Sequence, residues 1–277
     1  MCCRPTMRRQ DVGELHEQPW FPASLRDAVT DVLQFLLNWT HYPKLVAPLI
    51  RAALDQSRST QVVDLCSGAG GPWFELLEML GQDSAISVCL TDKFPNEKRS
   101  RSVEKASRGR ITYASDPVDA ETVPRSLRGF RTPVNSAHHF SPRCVQAIFR
   151  NAVERQEGIA VFEIPRRTIA TLSMTIFMGL GSLFAVPFMR PFRASLFLWT
   201  YVIPVLPVVM WLDGIASCLR AYTLSELQQL CAFGESQQYC WKAGILRIAG
   251  LPVAITYMLG YPAEQHAEHS MKCIFDL

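Results

Sequence analysis

The stretch VVDLCSGAGGPW, residues 62–73, places an acid and three glycines where an apolar run enters a turn. Asp64 ends the run, and Gly68, Gly70 and Gly71 crowd the loop that follows it. Glycines let a backbone approach a ligand closely and reach dihedral angles that other residues disfavour. A loop between a parallel strand and a helix is also where open α/β sheets bind ligands. The pattern therefore predicts a ligand-binding loop that begins after Asp64.

A second acid narrows the class of ligand. Asp92 ends the next apolar run, 22 positions after Gly70, where it could accept hydrogen bonds from a ribose diol. A dinucleotide loop that starts at Gly68 would need a third glycine at position 73, where Trp73 stands. Asp64 beside the loop instead suits a ligand with positive charge, and S-adenosylmethionine carries an ammonium and a sulfonium group.

The elements that must position these residues alternate along the chain between strand and helix patterns. The predicted strands are 60–65, 85–91, 111–114, 129–135 and 158–164, with a hairpin formed by 239–248 and 252–259. The predicted helices are 24–38, 43–54, one after the glycine loop, one capped by Ser141, and 223–230 with a Thr223/Glu226 capping box. Alternating strands and helices favour an open parallel sheet, and the hairpin predicts that it ends with an antiparallel strand.

Four stretches together resemble the class I, Rossmann-like S-adenosylmethionine-dependent methyltransferases. The glycine loop is similar to the first motif of that family, with Cys66 where a glycine is common. Asp92 matches the ribose acid, and residues 115–120 follow the third strand, where the family contacts adenine. The terminal hairpin matches the sixth and seventh strands. The resemblance covers roughly residues 60–165 and 213–262.

The resemblance implies an α/β fold with a Rossmann-like seven-stranded, mostly parallel sheet, an antiparallel last strand, helices on both faces and an added apolar helical insertion. It implies S-adenosylmethionine as cofactor, with Asp119 as the contact to the exocyclic amine of adenine. The implied cofactor-binding residues are Asp64, Ser67, Gly68, Gly70, Asp92, Asp119 and Ala120. The alternative is a Rossmann fold that binds another ligand or none.

Two histidines follow the fourth predicted strand, in the stretch that borders the acceptor in that family. His138 and His139 are the candidate catalytic residues, because imidazole titrates near neutral pH and could take a proton from an acceptor hydroxyl. The alternative is that one caps the next helix and the other packs. Glu163 could orient one of them, but an ion pair with Arg166 or Arg167 is the favoured interpretation.

Three further motifs have ordinary structural interpretations. Glu17, Trp20 and Phe21 could form a lid over the cofactor, although packing of the first helix is the favoured interpretation. His266 and His269 have the spacing of a helical metal pair, but a solvated tail is favoured. No metal site is therefore predicted.

Residues 165–212 form an insertion that is apolar enough to meet a membrane. Residues 168–189 and 194–212 are uncharged runs of 22 and 19 residues. Glycines near 180 and prolines near 205 predict interruptions of both runs, and hence a shallow hairpin that does not span. The predicted interfacial side chains are Phe184, Phe188, Phe192, Trp199, Tyr201 and Trp211, with Arg190 and Arg193 at the headgroups. The alternative is a soluble helical cap over an apolar acceptor, or a dimer face.

Composition limits the remaining possibilities. The net charge of +3 argues against nucleic acid as a partner. Nine cysteines without a C-x-x-C pair, and an N-terminus without an apolar secretory segment, predict a cytoplasmic protein, peripheral or monotopic at a membrane. Cys2 and Cys3 could carry an acyl chain, although a plain tail is favoured.

These patterns predict four segments and one leading function. Residues 1–59 form an N-terminal helical cap, 60–164 the cofactor-binding core, 165–212 the insertion, and 213–277 the helix and hairpin that complete the sheet. The predicted function is methyl transfer from S-adenosylmethionine to a small lipophilic acceptor, and a membrane surface is one location that fits this reaction. The alternatives are a catalytically silent, membrane-associated binding or scaffold protein, and a methyltransferase for protein or nucleic acid.

Overall fold

The computed structural model describes residues 7–40, 42–68, 70–81, 85–95, 103–190, 193–234, 239–248, 250 and 253–263. The predictions for Cys2, Cys3, Phe192, His266 and His269 lie outside these residues, as does Ala69 of the glycine loop.

Within the described residues, seven strands form one sheet. They are β1 Gln61–Leu65, β2 Ser87–Thr91, β3 Ile111–Tyr113, β4 Phe130–Pro133, β5 Ile159–Glu163, β6 Tyr239–Arg247 and β7 Ala254–Pro262. Their order is β3-β2-β1-β4-β5-β7-β6, with β1 to β5 parallel and β7 antiparallel to both of its neighbours. The predicted seven-stranded, mostly parallel sheet with an antiparallel last strand is confirmed.

The strand order reverses between β1 and β4, which lie side by side at the centre of the sheet. In an open α/β sheet the crevice outside the carboxyl ends of the strands at such a reversal is the usual ligand site. The glycine loop follows β1, and the two histidines follow β4. The topology therefore brings both candidate sets of residues to one edge.

Helices cover both faces of the sheet. They are α1 Ala23–Trp39, α2 Tyr42–Ser57, α3 Trp73–Met79, α4 Pro142–Glu154, α5 Ile169–Ala185, α6 Ala194–Phe197, α7 Val205–Arg220 and α8 Leu224–Cys231. The predicted caps are present: Ser141 accepts from the backbone of Cys144, and Thr223 with Glu226 forms a capping box. α2 and α3 bury apolar side chains on one face, and α4 and α8 on the other.

The first helix belongs with the insertion more than with the sheet. Leu25, Val29 and Val32 of α1 are buried in one apolar cluster with Leu206 and Val209 of α7. α2, by contrast, packs in the cluster that contains β1 and β2. The insertion is therefore anchored to the N-terminal part of the chain through a small core of its own.

The predicted interruption of the first apolar run is wrong. α5 continues through Gly179 and Gly181, because a glycine in a helix costs only about 1 kcal/mol relative to alanine. At Gly179 the missing side chain lets α7 approach: a Cβ there would lie 2.6 Å from the carbonyl oxygen of Pro207. The second run does break before Pro204, where the helical segments 194–202 and 205–220 meet at 84°.

Candidate active site

The glycine loop holds an open backbone at the end of β1. Gly68, Gly70 and Gly71 have φ angles of +50°, +104° and +53°, in the region that glycine adopts without strain. A Cβ on Gly68 would meet no described atom within 4 Å, so this part of the loop faces open space. The side chain of Gln34 on α1 donates to the Gly71 carbonyl at 3.0 Å and fixes the far side of the loop.

Cys66 shows why a glycine is common at its position. Its φ is +59°, a left-handed conformation that costs a residue with a side chain about 1–2 kcal/mol. Burial raises the pKa of its thiol to about 12, so the group is an uncharged packing element rather than a nucleophile.

Asp92 closes the loop from the end of β2. One carboxylate oxygen accepts from the Gly68 N–H at 3.0 Å, and the other accepts from the Phe94 N–H at 2.9 Å. Ser67 ties the same loop to β2, because its hydroxyl donates to the Asp64 carbonyl at 2.8 Å and accepts from the Thr91 N–H at 3.1 Å. The structure thus brings Ser67, Gly68 and Asp92 together, as the ligand-binding prediction requires.

Asp64 lies beneath this loop as a buried carboxyl group. Its Oδ1 accepts a hydrogen bond from the Thr132 hydroxyl at 2.7 Å. Burial raises the pKa of Asp64 to about 6, since the charged form is costly away from water. A cationic ligand above the loop would favour the ionised form.

Asp119 and Ala120 begin a short 3₁₀ turn after β3. The Asp119 carboxylate accepts from the Glu121 N–H at 3.0 Å and pairs with the Lys93 ammonium at 3.1 Å. The adjacent Val118 N–H donates to the Asp92 carbonyl at 2.9 Å, which places this turn beside the acid of β2. Ala120 is buried below. The carboxylate of Asp119 is therefore already bound by the Glu121 N–H and the Lys93 ammonium.

These residues fit a nucleoside ligand with positive charge. At Gly68 and Gly71 the backbone of the loop faces open space, and Asp92 follows the neighbouring strand β2. A buried carboxyl at Asp64, with its raised pKa, adds a group that a cation would ionise. The three features meet at the carboxyl edge of β1 and β2.

The histidine turn begins with a strained asparagine. Asn135 has a φ of +47°, which asparagine tolerates better than most residues. Its N–H donates to the Phe162 carbonyl at 2.8 Å, and its side-chain oxygen accepts from the Ile164 N–H at 2.8 Å. These bonds fasten the end of β4 to the end of β5, and the chain then enters the 3₁₀ turn Ala137–His139.

Glu163, fully buried at the end of β5, holds that turn in place. One oxygen accepts from the Ala137 N–H at 2.7 Å, and the other lies 2.5 Å from Nδ1 of His138. The favoured pairing of Glu163 with Arg166 or Arg167 is wrong, because Arg167 forms its ion pair with Glu226 of α8. A carboxylate only accepts, so Nδ1 of His138 carries a proton, and in the neutral ring the lone pair is on Nε2.

Two acids of an N-terminal segment contact the histidines, a pairing that was not predicted from the sequence. Glu17 Oε1 lies 2.5 Å from Nδ1 of His139, and Glu14 Oε1 lies 3.6 Å from Nε2 of His138. The His138 and His139 rings stack with their centroids 4.2 Å apart. These partners are more than 120 positions apart in the chain, and no local pattern connects them.

α7, which begins in the insertion and ends beyond it, completes the cluster with two residues of its second half. Arg220 donates to Glu17 Oε2 at 2.7 Å and to the His139 carbonyl at 2.7 Å, and Asp213 Oδ2 lies 2.8 Å from Nδ1 of His16. Glu17 therefore contacts both His139 and Arg220.

The two neighbouring aromatic residues, Trp20 and Phe21, differ in burial. Phe21 packs in the core of α1, as the favoured interpretation had it, and Trp20 is exposed.

The buried environment shifts the titration of these groups. Burial, together with the neighbouring His138, lowers the pKa of His139, so its neutral form is favoured. Burial raises the pKa of the Glu14 carboxyl. Burial would also raise the pKa of Glu17, but His139 and Arg220 outweigh it and hold that pKa below its usual value. A neutral imidazole at His139 beside buried acids can accept a proton or coordinate an ion.

Comparison with known proteins identifies the fold but no sequence relative. No protein-family model matches the chain, and no curated protein matches it in sequence. Among solved structures, human N-acetylserotonin methyltransferase in complex with S-adenosylmethionine is similar at 11% identity and a TM-score of 0.50, over 93% of this chain and 63% of that one.

Two further structures are similar with lower scores. An O-methyltransferase from neocarzinostatin biosynthesis, solved with S-adenosylmethionine and 2-hydroxy-5-methyl naphthoic acid, has 18% identity and a TM-score of 0.47, over 85% of this chain and 58% of that one. The methyltransferase domain of a bacterial Hen1 protein has 15% identity and a TM-score of 0.44, over 77% and 96%. The chain thus spans about three fifths of the length of the N-acetylserotonin methyltransferase and of the neocarzinostatin O-methyltransferase.

The fold is that of the class I S-adenosylmethionine-dependent methyltransferases. At these identities the likeness extends to the fold alone, and the activity has to be argued from the site.

Proposed function

We propose that the chain transfers a methyl group from S-adenosylmethionine to an oxygen of a small lipophilic acceptor. The observation that carries the proposal is the hydrogen bond from the Gly68 N–H to the Asp92 carboxylate. This bond joins the open loop after β1 to the acid after the neighbouring strand β2, beside the point where the strand order reverses. S-adenosylmethionine, when bound, supplies an electrophilic methyl group. Ser67, Gly68, Gly70 and Asp92 would hold it, with Asp64 facing its positive charge and Asp119 and Ala120 beside the base.

The residues for the acceptor are the histidines on the next strand end. β1 and β4 are neighbours, so the turn at His138 and His139 lies at the same edge as the glycine loop. A hydroxyl nucleophile must lose its proton, and a neutral imidazole can assist that loss. Glu163 fixes the tautomer of His138, while Glu17 holds His139. Positioning and exclusion of water supply the rest of the acceleration.

An apolar surface next to the site supports a lipophilic acceptor. Many large apolar side chains of the insertion are exposed, among them Ile169, Phe177, Phe184, Phe188, Val202, Val208 and Trp211. So many exposed large apolar side chains on one segment favour an interaction site. α7 also carries Arg220 and Asp213 into the histidine cluster, so one helix joins the apolar surface to the candidate active site.

We propose further that this surface rests on a membrane without crossing it. Among the described residues, one helix, Ile169–Phe188, is long and apolar enough to span, and a third of its most apolar stretch is buried in the protein. The second apolar run is bent by 84° at Pro204, so its two halves cannot form one straight span. Arg193 at the turn pairs with Asp31 of α1 at 2.6 Å, which keeps that turn on the protein. A helix pair of this kind suits the interfacial plane.

Methyl transfer is tested by mass spectrometry of lipophilic extracts incubated with the purified protein and isotopically labelled cofactor. We expect a labelled product whose formation falls about a hundredfold or more in His138→Ala or His139→Ala, with cofactor affinity unchanged. Full turnover in the double variant would remove the histidines from the chemistry.

Membrane contact is tested by flotation with liposomes. We expect the protein to float with the vesicles, to resist high salt and to be released by detergent. Phe184→Glu with Phe188→Glu should abolish flotation, because both side chains are largely exposed. Ile245→Glu, at an exposed position of β6, is the matched control and should float as the unaltered chain does. Equal flotation of both variants would show that this face does not bind the membrane. If the unaltered chain did not float, only the alternative of a soluble helical cap over the acceptor would remain.

A further inference from the structure

We propose that Glu14, His138 and His139 bind one divalent transition-metal ion. The inference goes beyond methyl transfer, and it rests on the proposed function only in its consequence: the ion would face the acceptor oxygen. One ligand atom from each of the three residues can be chosen so that all lie within 4.8 Å of one another. No metal site was predicted from the sequence, in which Glu14 lies more than 120 positions from the histidines.

The distances between these atoms fit shared coordination better than hydrogen bonding. Glu14 Oε1 lies 3.6 Å from Nε2 of His138 and 3.9 Å from Nδ1 of His139. Both separations exceed the roughly 2.7–3.2 Å of a hydrogen bond. Two ligands on a tetrahedral ion with bonds of about 2.0 Å stand roughly 3.3 Å apart, so a small inward movement would complete the site.

Glu163 prepares His138 for coordination. Its carboxylate lies 2.5 Å from Nδ1, so the lone pair of Nε2 is free on the side of Glu14. A carboxylate behind the distal nitrogen is the usual support of a metal-bound imidazole, where it fixes the tautomer and raises the basicity of the ligand. For His139 the proton that Nδ1 shares with Glu17 at 2.5 Å would have to leave, or the ring would have to turn.

The charge around the cluster favours a cation. Glu14, Glu17, Glu163 and Asp213 place four carboxyl groups around the imidazoles. Two basic side chains face these acids: Arg220 lies 2.7 Å from Glu17 and 3.8 Å from Glu14, and Nδ1 of His16 lies 3.4 Å from Glu14 and 2.8 Å from Asp213. They are fewer than the four acids.

Two other polar side chains near the cluster, Ser217 and Arg9, do less to neutralise the acids. Ser217 donates to Glu14 at 2.8 Å. Arg9 donates to the carbonyl groups of His138 and Phe140 and so faces backbone rather than the acids. A divalent ion would remove most of the remaining negative charge.

A second grouping, Glu14 with His16 and Asp213, is less suited to an ion. Asp213 already accepts from the Leu15 N–H at 2.6 Å and from the His16 N–H at 3.2 Å, and it lies 2.8 Å from Nδ1 of His16. These bonds account for both carboxylate oxygens. The ligands of choice are therefore Glu14, His138 and His139.

Two imidazoles and one carboxylate select the class of ion. Imidazole nitrogen suits zinc, iron, cobalt and nickel, whereas magnesium and calcium prefer oxygen ligands. Three protein ligands would leave a position open, as in catalytic zinc sites. An acceptor hydroxyl in that position would bind the ion through oxygen and lose its proton more readily.

The test uses the full chain without an affinity tag, stripped of metal and then titrated with Zn²⁺ or Co²⁺. We expect about one ion per chain, and visible Co²⁺ bands typical of nitrogen and oxygen ligands without thiolate charge transfer. Glu14→Gln and His138→Ala should lower the affinity at least tenfold, as should Glu163→Gln through the loss of support for His138. Thermal unfolding of each variant establishes that it is folded.

Two control variants should bind as the unaltered chain does. His266→Ala with His269→Ala removes the other histidine pair, and Glu154→Gln removes an exposed carboxylate of α4. Loss of the ion with the tail histidines, no binding by the unaltered chain, or undiminished binding by folded Glu14→Gln would each overturn the inference.

Cofactor binding separates this inference from the proposed function. The glycine loop and Asp92 contain none of the three ligands, so calorimetry with S-adenosylmethionine should give the same affinity with and without metal. Methyl transfer at full rate by stripped protein would overturn the catalytic consequence while the proposed function stands. A bound ion without any cofactor binding would defeat the proposed function and leave the metal site in place.

Discussion

The Glu163 carboxylate lies 2.5 Å from Nδ1 of His138 and accepts from the Ala137 N–H with its other oxygen. One buried side chain at the end of β5 thereby sets both the turn that follows β4 and the tautomer of its first histidine. Because the bond occupies Nδ1, Nε2 is the atom of His138 that would act in the proposed chemistry.

Glu163→Gln tests that arrangement. The amide oxygen can still accept from Ala137, but the amide nitrogen donates, so Nδ1 of His138 would become the acceptor and Nε2 would carry the proton. We expect turnover to fall about a hundredfold or more, with cofactor affinity unchanged. Steady-state kinetics and calorimetry measure the two quantities. Glu154→Gln, on an exposed position of α4, is the control, and equal turnover in both variants would count against a role for the tautomer.

The insertion offers a matched pair of glycines in one helix. A Cβ on Gly179 would lie 2.6 Å from the Pro207 carbonyl oxygen, so Gly179→Ala should force α5 and α7 apart and lower the free energy of unfolding by about 1–3 kcal/mol. A Cβ on Gly181 meets no described atom within 4 Å, so Gly181→Ala should raise that free energy by up to about 1 kcal/mol. Chemical denaturation measures both, and equal stability of the two variants would contradict the close helix contact.

The same glycines show a limit of reading the sequence. As residue types they weaken a helix, and the pattern therefore predicted an interruption near 180. The structure uses Gly179 for a contact with Pro207, a position 28 residues later that no periodicity within α5 could reveal. Pro204 did mark a break, because the missing N–H acts within the local backbone whatever packs against it.

Cofactor affinity should depend on pH through Asp64. Its pKa is raised to about 6, so lowering the pH through 6 protonates the carboxyl and removes the charge that faces the cationic cofactor. We expect the affinity for S-adenosylmethionine to fall as the pH decreases below 6, and the affinity of Asp64→Asn to be lower and nearly constant over the same range. Calorimetry between about pH 5 and 8 tests this, and an unchanged pH dependence in the variant would assign the effect to another group.

Asp64 should affect stability in the opposite direction. Since its pKa is raised in the folded state, its contribution to stability is full below the ordinary pKa of about 3.9 and is lost as the pH rises through 6. Asp64→Asn keeps an acceptor for the Thr132 hydroxyl without the buried charge. At pH 7 without cofactor, the variant should be more stable by on the order of 3 kcal/mol. A destabilised variant would show that the carboxylate is better compensated than its burial indicates.

Features that depend on neighbouring residues could be predicted from the sequence, whereas contacts between residues far apart in the chain could not. Strands, the caps at Ser141 and Thr223, and the loop at Gly68 depend on neighbours in the chain, and all are present in the structure. The partners of Glu163 depend on which charges the folded chain brings near, and Arg167 is taken by Glu226, 59 positions away. Likewise nothing near Glu14 or Glu17 indicates that they meet the histidines.

Calorimetric titration of the purified chain with S-adenosylmethionine is the measurement that tests the central claim most directly. The account predicts one binding site per chain. Asp92→Ala should weaken the affinity by up to about 3 kcal/mol, because charge-assisted hydrogen bonds to the ribose are lost. Gly68→Val should abolish binding, because its side chain would enter the open space of the loop, whereas His138→Ala should bind as the unaltered chain does. No binding by the unaltered chain, or tight binding that survives both Asp92→Ala and Gly68→Val, would contradict the account.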